Sequence, residues 1–387
     1  MNKLKVISVF GTRPEAIKMA PLIKKLNENK NIQSKVCVTA QHRQMLDQVL
    51  DLFNIEPDFD MNIMKDKQSL TGITSRVLEG LNKIFIVEKP DIVLVHGDTT
   101  TTFATSLAAF YEKIVVGHVE AGLRTYDKYF PFPEEINRKL TGAIADLHFA
   151  PTLNSKENLL KEGVNEKNIF ITGNTVIDAM NYTVENDYVF ENKELNELDY
   201  INKKVIMVTA HRRENWGKGI ENICTALRRI VEENDDIELV YLVHLNPVVK
   251  DIVYRNLSNM NRVHLMPPLD TKETHNLMNK CFMVITDSGG LQEEAPHLGK
   301  PVLVLRNVTE RSEAVEAGTV KLVGTDIRNI VNEVYKIIHN KDEYEKMSKA
   351  INPYGDGMAS ERIVDSIMDY FNIPITKDNY EMVKLFK

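Results

Sequence analysis

The stretch Thr286-Asp-Ser-Gly-Gly-Leu-Gln-Glu-Glu-Ala-Pro296, entered through the apolar run Phe282–Ile285, decides how the chain folds. The apolar run reads as a buried strand. Ser288, Gly289 and Gly290 make a turn without bulky side chains, and Leu291–Ala295 reads as a first helical turn that Pro296 bends or ends. A strand, a glycine turn and a helix start together present backbone N–H groups that suit a phosphate. Glu293 and Glu294 follow, where a carboxylate accepts from ribose hydroxyls. The same residues also read as an ordinary tight strand-to-helix turn, since glycine-rich turns are common.

Outward from this stretch the same alternation runs through the chain. In the first half strands read at Val6–Phe10, Lys35–Thr39, Asp91–His96, Ile114–Val119, Leu147–Ala150 and Ile169–Thr172. Helices between them read at Glu15–Asn27, His42–Phe53, Ser69–Val87 and Thr101–Tyr111. The third of these places Ile73, Val77, Leu78, Leu81 and Ile84 at helical spacing. The second half repeats the pattern, with strands at Val205–Thr209, Leu239–Val243, Val263–Met266, Met283–Thr286, Val302–Leu305 and Val320–Val323. Its helices read at Gly219–Glu232, Pro247–Asn256, Lys272–Asn279, Ile327–Ile338 and Tyr344–Ala350. β-Branched strands alternating with helices imply an α/β fold of two doubly wound parallel sheets, each covered on both faces. The polar stretch Asn186–Lys204 reads as a loop or linker, Ser360–Phe371 as a last helix, and the tail after Pro374 as ragged. Domains are expected at 1–173 and 174–359, with 360–387 a helix and tail.

Bulk properties narrow the function. A chain of 387 residues exceeds one core. Its net charge of −7 argues against a broad nucleic-acid surface. Cys37, Cys224 and Cys281 sit in or beside apolar runs, without metal spacing, and read as buried thiols compatible with a reducing cytoplasm. No apolar run approaches the roughly 20 residues of a membrane span, and Val6–Phe10 is too short for a signal peptide.

Ligands of doubly wound sheets bind beyond the carboxyl ends of the strands. The residues there are Gly11-Thr12-Arg13, Gln41-His42-Arg43, His96-Gly97-Asp98, Glu120–Arg124, His211–Asn215, His244 and Asp287–Gly290. Acids, cations and glycines collect at these ends in both halves, which suggests a cleft between two domains. Arg13 suits a bidentate clamp on phosphate, with Lys18 one turn along the same helix; a surface Arg and a solvated Lys are the alternative. Asp98 is either a carboxylate aimed at a ligand or, with Thr99, a candidate helix cap. Glu120 ends an apolar strand, where burial favours general acid–base duty; the alternative is a buried ion pair with Arg124. Glu134 and Arg138 share a helical face, as a solvated pair or as a second catalytic carboxylate with its orienting cation. His211 titrates near neutrality or donates to phosphate, beside Arg212 and Arg213. The histidines carry no metal-binding signature, and none is inferred.

With these residues placed, the chain resembles the bacterial non-hydrolysing UDP-N-acetylglucosamine 2-epimerases. The resemblance rests on Phe10-Gly-Thr-Arg-Pro-Glu-Ala-Ile-Lys18, Val95-His-Gly-Asp-Thr-Thr-Thr-Thr-Phe103, His118-Val-Glu-Ala-Gly-Leu-Arg124, Pro131-Phe-Pro-Glu-Glu135, Thr209-Ala-His-Arg-Arg-Glu-Asn215, Thr286-Asp-Ser-Gly-Gly290 and Asn352-Pro-Tyr-Gly-Asp-Gly357. It implies two Rossmann-like domains in the glycosyltransferase-B arrangement, a site between them, a last helix packed on the first domain, a cytoplasmic homodimer, and no cofactor. It implies interconversion of UDP-GlcNAc and UDP-ManNAc, for cell-envelope polysaccharide. Asp98, Glu120 and Glu134 are then the acid–base group, supported by His211 and Arg138. Arg13, His211, Ser288, Gly289 and Gly290 hold the diphosphate and Glu294 the ribose, with Lys18 and Arg311 as further positive positions of the UDP site. A second UDP-GlcNAc is expected as activator on Gln41, Gln44, Glu134, Arg212 and His244, with Lys67 where relatives carry Arg. Thr274 stands where relatives carry an aromatic residue near the uracil.

Overall fold

The computed structural model describes residues 3–40, 43–65 and 68–374. Gln41, Lys67 and the tail after Pro374 lie outside the described residues. The chain forms two compact units, Met1–Tyr182 with Tyr354–Lys387, and Thr183–Pro353. Each is an α/β unit built on a parallel sheet.

In chain order the first unit contains β1 (Leu4–Phe10), α1 (Arg13–Glu28), β2 (Ile32–Val38), α2 (Arg43–Leu52), β3 (Phe59–Asp60), α3 (Leu70–Glu88), β4 (Ile92–His96) and α4 (Thr100–Tyr111). It continues with β5 (Val115–Val119), α5 (Glu134–Ile144), β6 (Leu147–Ala150), α6 (Leu153–Lys161), β7 (Ile169–Ile171) and α7 (Thr175–Thr183). Among the described residues its sheet has the order β3-β2-β1-β4-β5-β6-β7, so strand order reverses between β1 and β4. The period of two along β1 explains how both faces are covered. Leu4, Val6 and Phe10 join the core under α1 and α2, whereas Ile7 and Val9 join the core under α3 and α4. Helical spacing does the same for α3, which buries Ile73, Val77, Leu81 and Phe85 and is capped by Ser69 Oγ, 3.1 Å from Gly72 N. Leu78 and Ile84 are only partly buried at the edge of that stripe.

The second unit contains α8 (Lys193–Glu197), β8 (Lys204–Thr209), α9 (Lys218–Glu233), β9 (Ile237–Leu242), α10 (Pro247–Leu257), β10 (Val263–Met266), α11 (Thr271–Lys280) and β11 (Met283–Thr286). Next come α12 (Leu291–His297), β12 (Val302–Val304), α13 (Ser312–Glu316), β13 (Val320–Leu322), α14 (Ile327–His339) and α15 (Lys341–Ser348). The sheet order is β10-β9-β8-β11-β12-β13, all parallel. Its core gathers Ile206, Val208, Leu239, Tyr241 and Ile285 with the apolar faces of α9, α10 and α14. The chain then returns to the first unit as α16 (Ala359–Tyr370), whose Ile363, Val364, Ile367 and Met368 pack with Met19, Leu22 and Leu26 of α1 in one core.

Two expectations change. The units divide at Tyr182 and Tyr354 rather than at 173 and 359. Asn174 N donates to Tyr354 O at 2.7 Å, and Asp178 accepts from Ala359 N and Ser360 N at 3.1 and 2.6 Å. These bonds bind α7 and the returning turn into the first unit. The Asn186–Lys204 stretch is not a plain linker. It holds α8, buries Phe190 and Leu195, and stacks Phe190 on Tyr200 at 6.4 Å, with Glu191 N bonded to Glu273 at 2.8 Å. Pro296 lies inside α12, which runs one residue past it. The three cysteines are buried, and burial pushes each thiol up to about 12. No helix among the described residues is long and apolar enough to cross a membrane.

Candidate active site

Three adjacent strands deliver the first group of side chains. β1 leads into Gly11-Thr12-Arg13, β4 into Gly97-Asp98-Thr99, and β5 into Glu120. Gly97 takes a positive φ of 66°, which turns the chain sharply after β4. Glu120 takes a φ of 61° although it is not glycine. A left-handed conformation at such a residue costs of order 1–3 kcal/mol and persists where the surroundings fix it.

The surroundings of Glu120 do fix it. Its side chain is buried in an ion pair with Lys18 of α1. Asn174 Nδ2 donates to Oε1 at 2.8 Å, and His96 Nε2 lies 3.7 Å from Oε2. The pair with Arg124 does not form; Arg124 instead reaches Glu162 at 2.6 Å. Burial holds His96 down at about 4, although Glu120 opposes this. His96 is therefore a neutral imidazole beside the pair at neutral pH. His118 Nε2 donates to the Gly97 carbonyl at 2.7 Å, and burial holds the imidazole at about 3.

Asp98 is held from α5. Arg138 Nη2 lies 2.5 Å from Asp98 Oδ2, and Asn137 Nδ2 donates to the Asp98 carbonyl at 2.9 Å. Arg138 Nη1 also reaches Glu135 at 3.4 Å. The expected pairing of Arg138 with Glu134 is replaced by these two. Position i−3 rather than i−4 faces the guanidinium, and Glu134 sits at the first residue of α5 after the Pro133 cap. Glu134 is half-buried, and its side chain makes no hydrogen bond or ion pair with a described residue. The fully buried Glu135 accepts from Thr125 N and Tyr126 N, both at 3.0 Å, which pins the loop leading to α5. Thr99, not Asp98, caps α4, with Oγ1 3.1 Å from Thr102 N, so the Asp98 carboxylate is left to Arg138.

Arg13 begins α1 and is half-buried. Its turn is organised by Glu15, a residue sequence reading passed over. Glu15 Oε2 accepts from Gly11 N at 3.0 Å and Thr12 N at 2.8 Å, and Oε1 accepts from Thr99 Oγ1 at 2.7 Å. Thr12-x-x-Glu15 is a capping box, and that spacing was the available signal.

In the second unit β8 leads into His211 and Arg212, and the neighbouring β11 into Asp287 and Ser288. Asp287 is fully buried. It accepts from His211 N at 2.9 Å, Arg212 N at 2.8 Å and Asn215 Nδ2 at 2.9 Å. His211 Nδ1 lies 3.5 Å from Asp287 Oδ1, and its ring stacks on His244 at 5.5 Å between centroids. Burial lowers the His211 pKa, against the pull of Asp287. Ser288 N donates to Thr286 Oγ1 at 2.9 Å, which bends the turn. A Cβ at Gly289 would stand 3.2 Å from Arg311 Cζ and Glu310 Oε1, and one at Gly290 would stand 3.1 Å from Glu294 Oε1. The glycines therefore let Arg311 and Glu294 close on the backbone. Arg311 is anchored to the buried Glu293 and to Glu310, each at 2.9 Å. Burial alone would raise Glu310, but Arg311 and Arg306 bring it down to about 2. Arg212 reaches the same carboxylate at 3.5 Å. Glu294 lies 3.5 Å from His275 Nε2. Gln44 belongs to α2, and Thr274 turns its hydroxyl onto Asp270 O at 2.6 Å.

Each unit thus presents a row of strand-end groups: carboxylates with their own cations in the first, and a glycine turn flanked by His211 and Arg311 in the second. Residues 24–368 match the model of the family described as UDP-N-acetylglucosamine 2-epimerase. A Clostridium acetobutylicum relative is 82% identical over 373 residues, covering 96% of this chain and 97% of the relative. The UDP-N-acetylglucosamine 2-epimerase of Bacillus subtilis is 59% identical over 372 residues, covering 96% and 97%. The crystal structure of the Neisseria meningitidis UDP-GlcNAc 2-epimerase bound to UDP-GlcNAc superimposes with a TM-score of 0.85 at 52% identity, covering 94% of this chain and 100% of that one. The two Rossmann-like units are those of the glycosyltransferase-B fold shared with these structures, and the chain belongs to the UDP-N-acetylglucosamine 2-epimerase family, a family of isomerases.

Proposed function

We propose that the chain interconverts UDP-N-acetylglucosamine and UDP-N-acetylmannosamine by eliminating and re-adding UDP. The C2 proton passes to a carboxylate as the C1–O bond breaks, leaving a C1=C2 double bond and free UDP, both retained. UDP oxygen then re-forms its bond to C1 while C2 takes a proton on the opposite face. The reaction balances without oxidant or reductant. The C2 proton is weakly acidic, so departure of UDP and loss of the proton need help together, each worth about 10²–10⁴-fold.

The observation that carries this reading is the pairing of two strand-end carboxylates with separate cations. Asp98 is held by Arg138 and Glu120 by Lys18. Each cation keeps its carboxylate oriented. Glu134 completes the acid–base group. Arg13, His211, Arg311 and the Ser288–Gly290 turn take the diphosphate, with Glu294 on the ribose. The pairing of Lys18 with Glu120 gives that lysine a second duty beside the diphosphate. The remaining parts of the reading are a cytoplasmic homodimer, an activating second UDP-GlcNAc held by Gln41, Gln44, Lys67, Glu134, Arg212 and His244, and a product destined for cell-envelope polysaccharide.

Chromatography of the nucleotides after incubation with UDP-GlcNAc tests the reading. UDP-ManNAc at a fixed ratio to UDP-GlcNAc, approached from either side, is the expected result. Stoichiometric free ManNAc and UDP would instead mark a hydrolase. Conversion only on adding a sugar acceptor would mark a glycosyltransferase.

A further inference from the structure

We propose that Glu15 is a positioning residue for the epimerisation, tying the turn that carries Arg13 to the turn that carries Asp98. The inference rests on the functional reading above and deepens it. Capping α1 needs only one oxygen of this side chain, on the Gly11 and Thr12 N–H groups, and glutamine serves as well as glutamate in such a box. The other oxygen goes elsewhere. Oε1 accepts from Thr99 Oγ1 at 2.7 Å and lies 3.2 Å from Thr102 Oγ1, on an element 84 residues away in sequence. Helix capping does not call for that bond.

The place of the bond explains it. β1 and β4 are neighbours at the point where strand order reverses, so the turns beyond them lead to helices on opposite faces and diverge. Glu15 spans the gap. Arg13 lies two residues before it, and Asp98 directly precedes Thr99. Thr99 is doubly committed: it caps α4 through Thr102 N at 3.1 Å and donates to Glu15. One buried carboxylate, 2% exposed, therefore fixes the spacing of a diphosphate ligand and an acid–base group. It does so with no cation beside it among the described residues, an arrangement that costs free energy and that capping alone does not justify.

The test compares Glu15→Met, Glu15→Gln and Thr99→Ala with the parent, measuring kcat, KM, UDP affinity and thermal unfolding. Glu15→Met should lower kcat about a hundredfold, the scale of an ångström-sized misplacement, and weaken UDP about tenfold through Arg13. Glu15→Gln should recover most of both, since its oxygen serves the Gly11–Thr12 turn and its amide donates to Thr99. Thr99→Ala cuts the link to Glu15 together with the α4 cap but leaves the Gly11–Thr12 turn intact, so kcat should fall about tenfold while UDP affinity stays within twofold. If Glu15→Met does not fold, Thr99→Ala decides. Parent-like kcat in a folded Glu15→Met, or in Thr99→Ala, overturns the proposal. A parent without conversion of UDP-GlcNAc overturns the functional reading itself, and the proposal with it.

Discussion

Arg138 sets its guanidinium 2.5 Å from the carboxylate of Asp98, a residue 40 positions earlier on another element. The pair is partly buried, and Glu135 backs the arginine at 3.4 Å. An aspartate at a strand end is thereby held by the helix that begins with Glu134, so two of the proposed acid–base carboxylates depend on one element. Orientation, more than charge, is what the arginine supplies, because Asn137 grips the Asp98 carbonyl as well.

Arg138→Met should therefore lower kcat far more than it raises KM. Truncating one partner of a hydrogen-bonded charge pair costs about 2–5 kcal/mol, and at 1.4 kcal/mol per tenfold this gives a fall of about 30- to 4000-fold. Steady-state kinetics with UDP-GlcNAc check it. Arg138→Lys should recover little, since lysine lacks the planar fork. An unchanged kcat would return Arg138 to a purely structural role.

Glu120→Gln should abolish turnover while the protein stays folded, because glutamine keeps the bond to Asn174 but accepts no proton. Lys18→Met should do nearly as much by another route, leaving a buried carboxylate without its cation, a change that costs about 3–5 kcal/mol. Both variants leave one member of the buried pair without its counter-charge and so lose stability on unfolding curves; kinetics separate them, since Glu120→Gln alone removes the proton acceptor and Lys18→Met keeps it. Measurable turnover in Glu120→Gln would remove Glu120 from the proton transfer.

Gly289→Ala should weaken UDP binding about tenfold without unfolding the second unit. The added methyl meets Arg311 and Glu310 at 3.2 Å, so a bidentate anchor must give by a few tenths of an ångström. Calorimetric titration with UDP measures the effect. An unchanged dissociation constant would place the diphosphate away from this turn.

Stability should fall as pH drops from 6.5 toward 4. His96, His118 and His148 are buried neutral, held at about 4, 3 and 4 against an ordinary 6.5. In that window the unfolded chain binds protons that the folded chain refuses, so the free energy of unfolding falls with pH, and above 6.5 the two states bind the same number. Each histidine contributes up to about 3 kcal/mol by the linkage relation. Denaturant midpoints between pH 7.5 and 4.5 report it. A flat profile would mean that these imidazoles are protonated in the folded state.

The fold was largely legible because its signals are periodic. β1 alternates apolar side chains between two cores, and α3 repeats Ile73, Val77, Leu81 and Phe85. Elements without a period escaped. α8 lies in a polar stretch whose structure comes from Tyr188, Phe190 and Tyr200 packing together, with ring centroids 5.2 and 6.4 Å apart, a tertiary effect that no local pattern announces. Strand ends pointed to the candidate site: Asp98, Glu120 and His211 all follow strands. The partners were harder to read. Spacing offered Arg138 to Glu134 and Arg124 to Glu120, whereas long-range packing gave Arg138 to Asp98 and Lys18 to Glu120. Asp287 and Asn174 had no such signal, since their work is hydrogen bonding across 76 and 54 residues.

In the proposed reaction a proton leaves C2 and returns on the other face while UDP departs and re-adds. Proton NMR of UDP-GlcNAc with the purified protein in D₂O tests it most directly. UDP-ManNAc carrying deuterium at C2, deuterium washing into UDP-GlcNAc as equilibrium is reached, and little free sugar are the expected result. UDP-ManNAc that keeps the original C2 proton, or no change in UDP-GlcNAc even with UDP-ManNAc added, would contradict it.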